Sequence, residues 1–281
     1  MPEAASRLPL VEPDARDEPT GNAEPTSIAG PTGPPLPTGS VLVVMPAYNA
    51  ARTLRDTWRA IPADVVTEVL LVDDHSIDAT LEVASQLAIR TLALPHNVGY
   101  GGNQKACYLE ALRIRANIVV MLHPDGQYDP KMIPRMIKPL LDGEADMVLG
   151  SRMLNPGGAR RGKMPLYRFY ANHALTWIEN KVMGTSFSEL HTGYRAYSRH
   201  FLQTVPFLRN SNDFVFDTQV IAQAVAFRQR ILEVPIDTRY HSDASSTSMR
   251  ANINYGLGTL AVMASYALHK SHIWRSRLFT P

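Results

Sequence analysis

A chain of 281 residues with 45% hydrophobic content can bury one substantial core, or one core and a small appendage, but not two large domains. The formal charge of +2 hides an asymmetry, because residues 1–40 hold six acidic and two basic side chains, leaving 26 Lys and Arg against 20 Asp and Glu in the rest. That mild excess suits a phosphate-bearing substrate or an anionic membrane surface, and it lacks the dense basic clustering of a nucleic-acid binder.

Nine of the 21 prolines fall in the first 40 residues among acidic and small polar residues. Such a composition cannot offset its ordering entropy, so residues 1–39 read as a disordered Pro-rich acidic tail. The N-terminus has no basic region followed by an apolar run and does not read as a secretory signal. From Val41 onward, short aliphatic runs alternate with helical segments. Strands are expected at Val41–Met45, Glu68–Val72, Thr91–Leu94, Ile118–Leu122 and Met147–Leu149, with helices near Ala50–Ile61, Asp78–Leu87, Gly101–Ala116 and Pro130–Leu141. Strands this apolar imply a mostly parallel sheet with helices on both faces. The second half is less regular, with a basic stretch at Asn155–Lys163, an aromatic helix at Leu166–Met183 and a final helix near Ile253–His272. The division is thus a tail at 1–39, a catalytic domain at 40–248 and a C-terminal helical segment at 249–281. The longest apolar run, Tyr255 to Leu268, falls short of the ~20 residues a spanning helix needs, so no transmembrane helix is expected. The single cysteine, Cys107, permits no intrachain disulfide and points to a cytoplasmic location.

In parallel α/β sheets ligands bind beyond the carboxyl ends of the strands. After the first strand, Pro46, Ala47, Tyr48 and Asn49 offer a turn, a flat ring and an amide suited to a nucleobase. After the second come Asp73 and Asp74, able to accept hydrogen bonds from a base or ribose, and Ser76, which can cap the next helix. The third strand leads to Asn97, Gly99 and a glycine cluster that is either a tight turn or a ligand loop. Neither its spacing nor its position fits a dinucleotide fingerprint, which disfavours NAD chemistry. The fourth strand delivers His123-Pro124-Asp125-Gly126-Gln127. Hard cations such as Mg²⁺ and Mn²⁺ take oxygen ligands and complete their shell with a diphosphate. In an extended segment Asp125 and Gln127 share a side, and His123, with the same parity, can add a nitrogen.

The ordered series Pro46-Ala47-Tyr48-Asn49, Leu71-Val72-Asp73-Asp74, Asn97-x-Gly99, His123-Pro124-Asp125-Gly126-Gln127 and Gly150-Ser151-Arg152 resembles the family 2 glycosyltransferases of GT-A fold, a Rossmann-like nucleotide-diphospho-sugar transferase architecture. Within that family it is most similar to the dolichyl- or polyprenyl-phosphate sugar synthases, over about residues 41–240. The resemblance implies that Asp73 and Asp74 contact the nucleotide and that Asp125 and Gln127 hold Mg²⁺ or Mn²⁺. His123 stands where the commoner pattern has Asp, which removes one negative charge beside the metal. His191-Thr192-Gly193-Tyr194-Arg195 resembles the family's segment near the donor phosphates. Arg152 and Arg195 then suit the diphosphate, or else an ion pair.

The resemblance implies transfer of a hexose from a UDP- or GDP-sugar, with inversion, to a polyprenyl or dolichyl phosphate. Transfer to a saccharide or other hydroxyl is the alternative, with Asp213 or Asp217 as general base; a phosphate acceptor needs none. A catalytically silent nucleotide-binding protein is a third reading, motivated by His123. A lipid acceptor requires contact with the cytoplasmic membrane face. Arg160, Arg161, Lys163 and Arg168, with Leu257, Leu260, Val262, Met263, Tyr266, Leu268 and Trp274 near Arg250, Lys270, Arg275 and Arg277, suit an interfacial helix. The same residues suit packing on the core or on a second subunit, which would make a homo-oligomer.

Overall fold

The computed structural model describes residues 34–155, 164–238 and 249–280, with the side chains of residues 249 and 250 outside the description. Most of the expected tail, and Arg160, Arg161 and Lys163, therefore lie outside the described residues. The chain is already attached at Leu36, whose N–H donates to the Ile114 carbonyl at 2.7 Å.

Seven strands form one sheet: β1 (Val41–Ala47), β2 (Glu68–Asp73), β3 (Arg90–Ala93), β4 (Ile118–Met121), β5 (Met147–Ser151), β6 (Arg195–Ser198) and β7 (Ile231–Pro235). Their order is β3-β2-β1-β4-β6-β5-β7. β6 is antiparallel to both its neighbours and all other pairings are parallel. The helices are α1 (Leu54–Arg59), α2 (Thr80–Gln86), α3 (Tyr100–Arg113), α4 (Ile133–Leu141), α5 (Leu166–Met183), α6 (Arg199–Thr204), α7 (Phe216–Ala226) and α8 (Met249–Lys270). The expected mostly parallel α/β sheet is present, and α5 has the predicted bounds.

Alternation along each strand divides the core. Leu42, Val44, Leu70, Val72, Val119, Met121, Met147 and Leu149 meet α3, α6, α7 and α8 on one face. Val41, Val43, Met45, Leu71, Val120 and Val148 meet α1, α2 and α4 on the other. Burial on both faces explains the near-continuous apolar strands; each enclosed aliphatic side chain contributes about 1.5–3 kcal/mol. The short, partly polar β6 lacks that signature and was missed.

The last helix is two-sided. Val262, Met263 and Tyr266 are buried in the core with Phe279, whereas Leu257 and Leu260 are exposed. The expected interfacial residues thus split between core packing and an outward stripe.

Close packing of α3 on the segment before α7 depends on glycine. A Cβ at Gly101 would lie 2.6 Å from the Ser211 carbonyl oxygen and 2.7 Å from Phe216 Cβ. The glycine cluster there is therefore a site of close backbone approach. Replacing Gly101 by Ala should destabilise the protein by about 1–3 kcal/mol, the usual cost of overpacking, as measured by denaturant unfolding. An unchanged midpoint would show that the 211–216 segment yields freely.

Candidate functional site

The sheet order reverses direction at β1, so the crevice between the carboxyl ends of β1 and β4 is the topological switch point where ligands bind. Thr53 spans it by donating its hydroxyl to the Pro124 carbonyl. β1 runs two residues further than expected, and Pro46 and Ala47 are buried strand residues. Pro46 is tolerated because the ladder with β4 ends at Val44 and Met121, so its missing N–H breaks no rung. Of the four residues expected to turn toward a nucleobase, only Tyr48 and Asn49 stand outside the strand. The Tyr48 ring is 54% exposed and open to stacking. Asn49, at φ 54°, accepts from the Ile77 N–H through its side chain.

Asp73, the last residue of β2, and Asp74, which follows it, are buried, at 0% and 3% exposure. Asp73 accepts from the N–H and hydroxyl of Ser76. Asp74 accepts from the N–H groups of Val98 at 2.7 Å and Gly99 at 3.1 Å, while the Asn97 amide donates to its carbonyl. These carboxylates shape the two loops that border the crevice. Ser76 does not cap α2, because its hydroxyl is committed to Asp73. Asp78 does that work, accepting from the N–H and hydroxyl of Thr80 and from the Ala51 N–H. These bonds outweigh burial and hold its carboxyl below the usual range.

After β4 the chain is extended only as far as His123. Residues 124–127 turn, with Gly126 at φ +74° and the Asp125 carboxylate accepting from the Gln127 N–H at 2.9 Å. The expected same-side projection from an extended segment is thus replaced by a side-chain-stabilised turn, a common device of Asp before Gly. Parity with Val119 and Met121 directs His123 toward the α3 and α7 layer. There its Nε2 lies 3.3 Å from the Tyr100 hydroxyl, with the two rings nearly parallel at 5.5 Å. Burial holds the imidazole below its ordinary pKa; Asp125 and Asp217 oppose this and Arg195 adds to it.

No group of three or more His, Cys, Asp or Glu side chains able to hold a metal exists among the described residues. The donors at the turn are one carboxylate, one amide and one imidazole, and the second Asp125 oxygen carries no hydrogen bond from the described residues. So sparse a set fits a divalent cation that draws the rest of its shell from a diphosphate.

Because β6 is reversed, residues 191–194, which precede it, reach the same end of the sheet as the strands' carboxyl termini, and Arg195 pairs in register with Met121 of β4. Arg195 is 1% exposed, its Nη1 2.7 Å from the Asp217 carboxylate on α7. Gln104 and Tyr100 of α3 donate to the same carboxylate at 3.0 and 2.9 Å. Burial disfavours the guanidinium's charge, but Asp217 outweighs it and Arg195 stays cationic. Arg152, at the end of β5, forms a buried ion pair with Glu189 and donates to the His191 carbonyl. Glu189 is held below the usual carboxylate range by Arg152 despite its burial. Both arginines expected at the diphosphate therefore face buried carboxylates.

Tyr100, Gln104 and Glu189 were not singled out in the sequence. Tyr100 sits inside the glycine cluster, and nothing local distinguishes it. Glu179, whose Oε2 is 2.9 Å from His191 Nε2, and Tyr255, whose hydroxyl is 2.7 Å from His191 Nδ1, are likewise joined only by tertiary packing of α5 and α8.

A model of the family described as Glycosyl transferase family 2 matches residues 42–205. The UDP-N-acetylglucosamine–dolichyl-phosphate N-acetylglucosaminyltransferase of Methanococcus voltae is 25% identical over 217 residues, covering 71% of this chain and 86% of its own. The undecaprenyl-phosphate mannosyltransferase of Micrococcus luteus is 28% identical over 203 residues, covering 70% and 82%. Among solved structures, glucosyl-3-phosphoglycerate synthase from Mycobacterium tuberculosis, in complex with Mn²⁺, UDP and glucosyl-3-phosphoglycerate, superposes with a TM-score of 0.59 at 19% identity, covering 81% of this chain and 80% of that one. With a GT-A fold whose β1/β4 switch point carries these strand-end residues, the chain belongs to glycosyl transferase family 2 and is a nucleotide-sugar-dependent glycosyltransferase.

Proposed function

We propose that the protein transfers a hexose from a UDP- or GDP-sugar, with inversion at the sugar carbon, to a polyprenyl or dolichyl phosphate. The observation that carries the choice of acceptor is the state of Asp217. Its carboxylate is occupied by Arg195, Gln104 and Tyr100, so it is poorly placed to take a proton from a hydroxyl acceptor. Asp213, the other candidate base, accepts from the Ser211 hydroxyl and the Val215 N–H. A phosphate acceptor needs no base, since its second pKa is about 6 and its oxygens are already ionised at neutral pH. The names of the Methanococcus voltae and Micrococcus luteus relatives point the same way.

In this reading the base stacks on Tyr48, and Asp73 and Asp74 act by holding the loops that receive the nucleotide, with Asn49, Asn97 and Gly99 as parts of those loops. Asp125 and Gln127, with His123, hold Mg²⁺ or Mn²⁺; when bound, the cation neutralises the departing nucleoside diphosphate. Arg152 and Arg195 are each half of a neutralised pair, so we assign them to shaping the site while the diphosphate's charge falls to the cation. A phosphate oxygen of the acceptor attacks the sugar carbon opposite the leaving diphosphate, one C–O bond forming as the other breaks.

The surface supports a lipid acceptor. α5 and α8 pack against one another. Each presents an apolar stripe at helical spacing: Leu166, Tyr170 and Trp177 on α5, and Ile253, Leu257 and Leu260 on α8, with Leu166, Tyr170, Trp177 and Leu257 more than 60% exposed. α8 contains no Asp or Glu, and the one carboxylate of α5, Glu179, is buried. Lys181, Lys270 and Arg168 supply positive charge. An apolar face with aromatic residues and only cationic charge fits the surface of an anionic bilayer. No helix among the described residues is long and apolar enough to cross one.

Incubation with a panel of nucleotide sugars, membrane lipid extract and Mn²⁺, read by mass spectrometry, should yield a sugar-phosphoryl lipid. A sugar attached to anything other than a lipid phosphate would refute the acceptor. Asp125→Asn should lower transfer by about 10²-fold or more, as loss of a preorganised charge contact commonly does, and undiminished turnover would remove the metal assignment. Trp177→Glu combined with Leu257→Glu should weaken sedimentation with anionic phosphatidylglycerol vesicles by at least about tenfold, given about 1.5–3 kcal/mol per buried apolar side chain. Unchanged vesicle binding together with a change in oligomeric state would assign this face to a second copy of the chain.

A further inference from the structure

Tyr100 is the first residue of α3, and its hydroxyl touches, besides Asp217, a second group that matters to the reading above. Asp217 Oδ2 lies at 2.9 Å, and the second group is His123 Nε2, at 3.3 Å. A phenol has one proton to donate. Asp217 is ion-paired with Arg195 at 2.7 Å and accepts from Gln104 at 3.0 Å, so toward the Tyr100 hydroxyl it acts as the acceptor. Tyr100 must therefore direct its proton to Asp217, which leaves its oxygen as an acceptor toward His123. For the contact to be attractive, Nε2 of His123 must carry the hydrogen.

The second nitrogen is thereby determined. A neutral imidazole with a hydrogen on Nε2 has its lone pair on Nδ1. The Nε2 edge of the ring is also enclosed on its other side: a Cβ placed on Gly193 would lie 3.1 Å from Cδ2 and 3.2 Å from Nε2. That edge faces protein, while Nδ1 carries no hydrogen bond from the described residues and is not among the enclosed, unpartnered polar atoms. We propose that Tyr100 is a positioning residue that fixes His123 as its Nε2–H tautomer and so offers Nδ1 as a nitrogen ligand to the divalent cation held by Asp125 and Gln127. The chain Arg195–Asp217–Tyr100–His123 would then be the outer support of the cation site, running from β6 through α7 and α3 to the end of β4. Such partners orient metal-ligating histidines and govern their affinity. A nitrogen donor in place of a carboxylate further implies a preference for Mn²⁺ over Mg²⁺, because Mg²⁺ favours an all-oxygen shell.

The inference rests on the cation reading above, and its test is separable from sugar transfer. Long-range ¹H–¹⁵N correlation spectra of the metal-free protein labelled with ¹⁵N-histidine, with His123→Gln to assign the signals, should show His123 protonated at Nε2 and unprotonated at Nδ1. A hydrogen on Nδ1 would overturn the proposal. Tyr100→Phe removes only the hydroxyl; it should mix the two tautomers and weaken Mn²⁺ binding in the presence of UDP by roughly tenfold or more, the usual effect of losing such a partner, read from free Mn²⁺ by electron paramagnetic resonance. Unfolding of the variant followed in parallel separates this loss from general destabilisation, and Gly193→Ala, which presses on the Nε2 edge, should weaken Mn²⁺ in the same direction. Pulsed electron paramagnetic resonance of the wild-type Mn²⁺–UDP complex should show coupling to an imidazole nitrogen that is absent in His123→Gln. Its absence from the wild type, or equal Mn²⁺ affinity in Tyr100→Phe, would sink the ligand assignment. If these spectra behave as expected while no lipid product forms, the acceptor reading fails and this one stands.

Discussion

The contact on which the most distant parts of the molecule depend is the buried pair between Arg195 and Asp217. A guanidinium on the central β6, enclosed by the helical layer, is tolerable only if a carboxylate meets it there, because an unpaired charge at that depth costs several kcal/mol. Asp217 therefore dictates where α7 begins relative to the sheet. Gln104 and Tyr100 donate to the same carboxylate and tie the first turn of α3 to it. The close approach that these bonds require is made possible by Gly101, against the Ser211 carbonyl. Through Tyr100 the network ends on His123, at the mouth of the crevice.

The same division of labour recurs at each strand end. Asp73, Asp74 and Glu189 are buried and committed to Ser76, to the 98–99 backbone and to Arg152, respectively. Carboxylates held this way make loops rigid before any ligand arrives, so less ordering remains to be done when a nucleotide binds. What remains open toward the crevice is comparatively little: the Tyr48 ring, the Asp125 turn and one edge of His123. On the proposed reading, a cation at a site with so few free donors would draw the rest of its shell from the donor's diphosphate, which would couple metal affinity to donor binding.

Much of this was legible in the sequence. β1, β2, β4 and β5 announce themselves because they are covered on both faces and so are apolar throughout, and the position of motifs after their ends follows from the parallel arrangement they imply. The bounds of α5 follow for the same reason: local pattern and local structure coincide. The antiparallel β6 was missed because a four-residue strand carrying Arg195 has no apolar signature, and its direction is set by β4 and β5 on either side. The extended conformation expected for residues 124–127 failed because the Asp125 side chain competes for the Gln127 N–H and Gly126 takes a positive φ.

What the sequence determined by itself is the fold class and the family, since βαβ periodicity and an ordered series of strand-end motifs survive without knowledge of any long-range contact. Only the tertiary structure decided which charged groups face a ligand and which face each other. Arg152 and Arg195 look alike as cations near a phosphate site until Glu189 and Asp217 are brought beside them from 37 and 22 residues away. Likewise, Val262 and Leu257 are equal candidates for a membrane surface until the packing of α8 on α5 and α7 buries the first and leaves the second outside. The physical reason is common to both: the charge balance of a buried group and the orientation of a helix face depend on neighbours distant in the chain, which local periodicity cannot report.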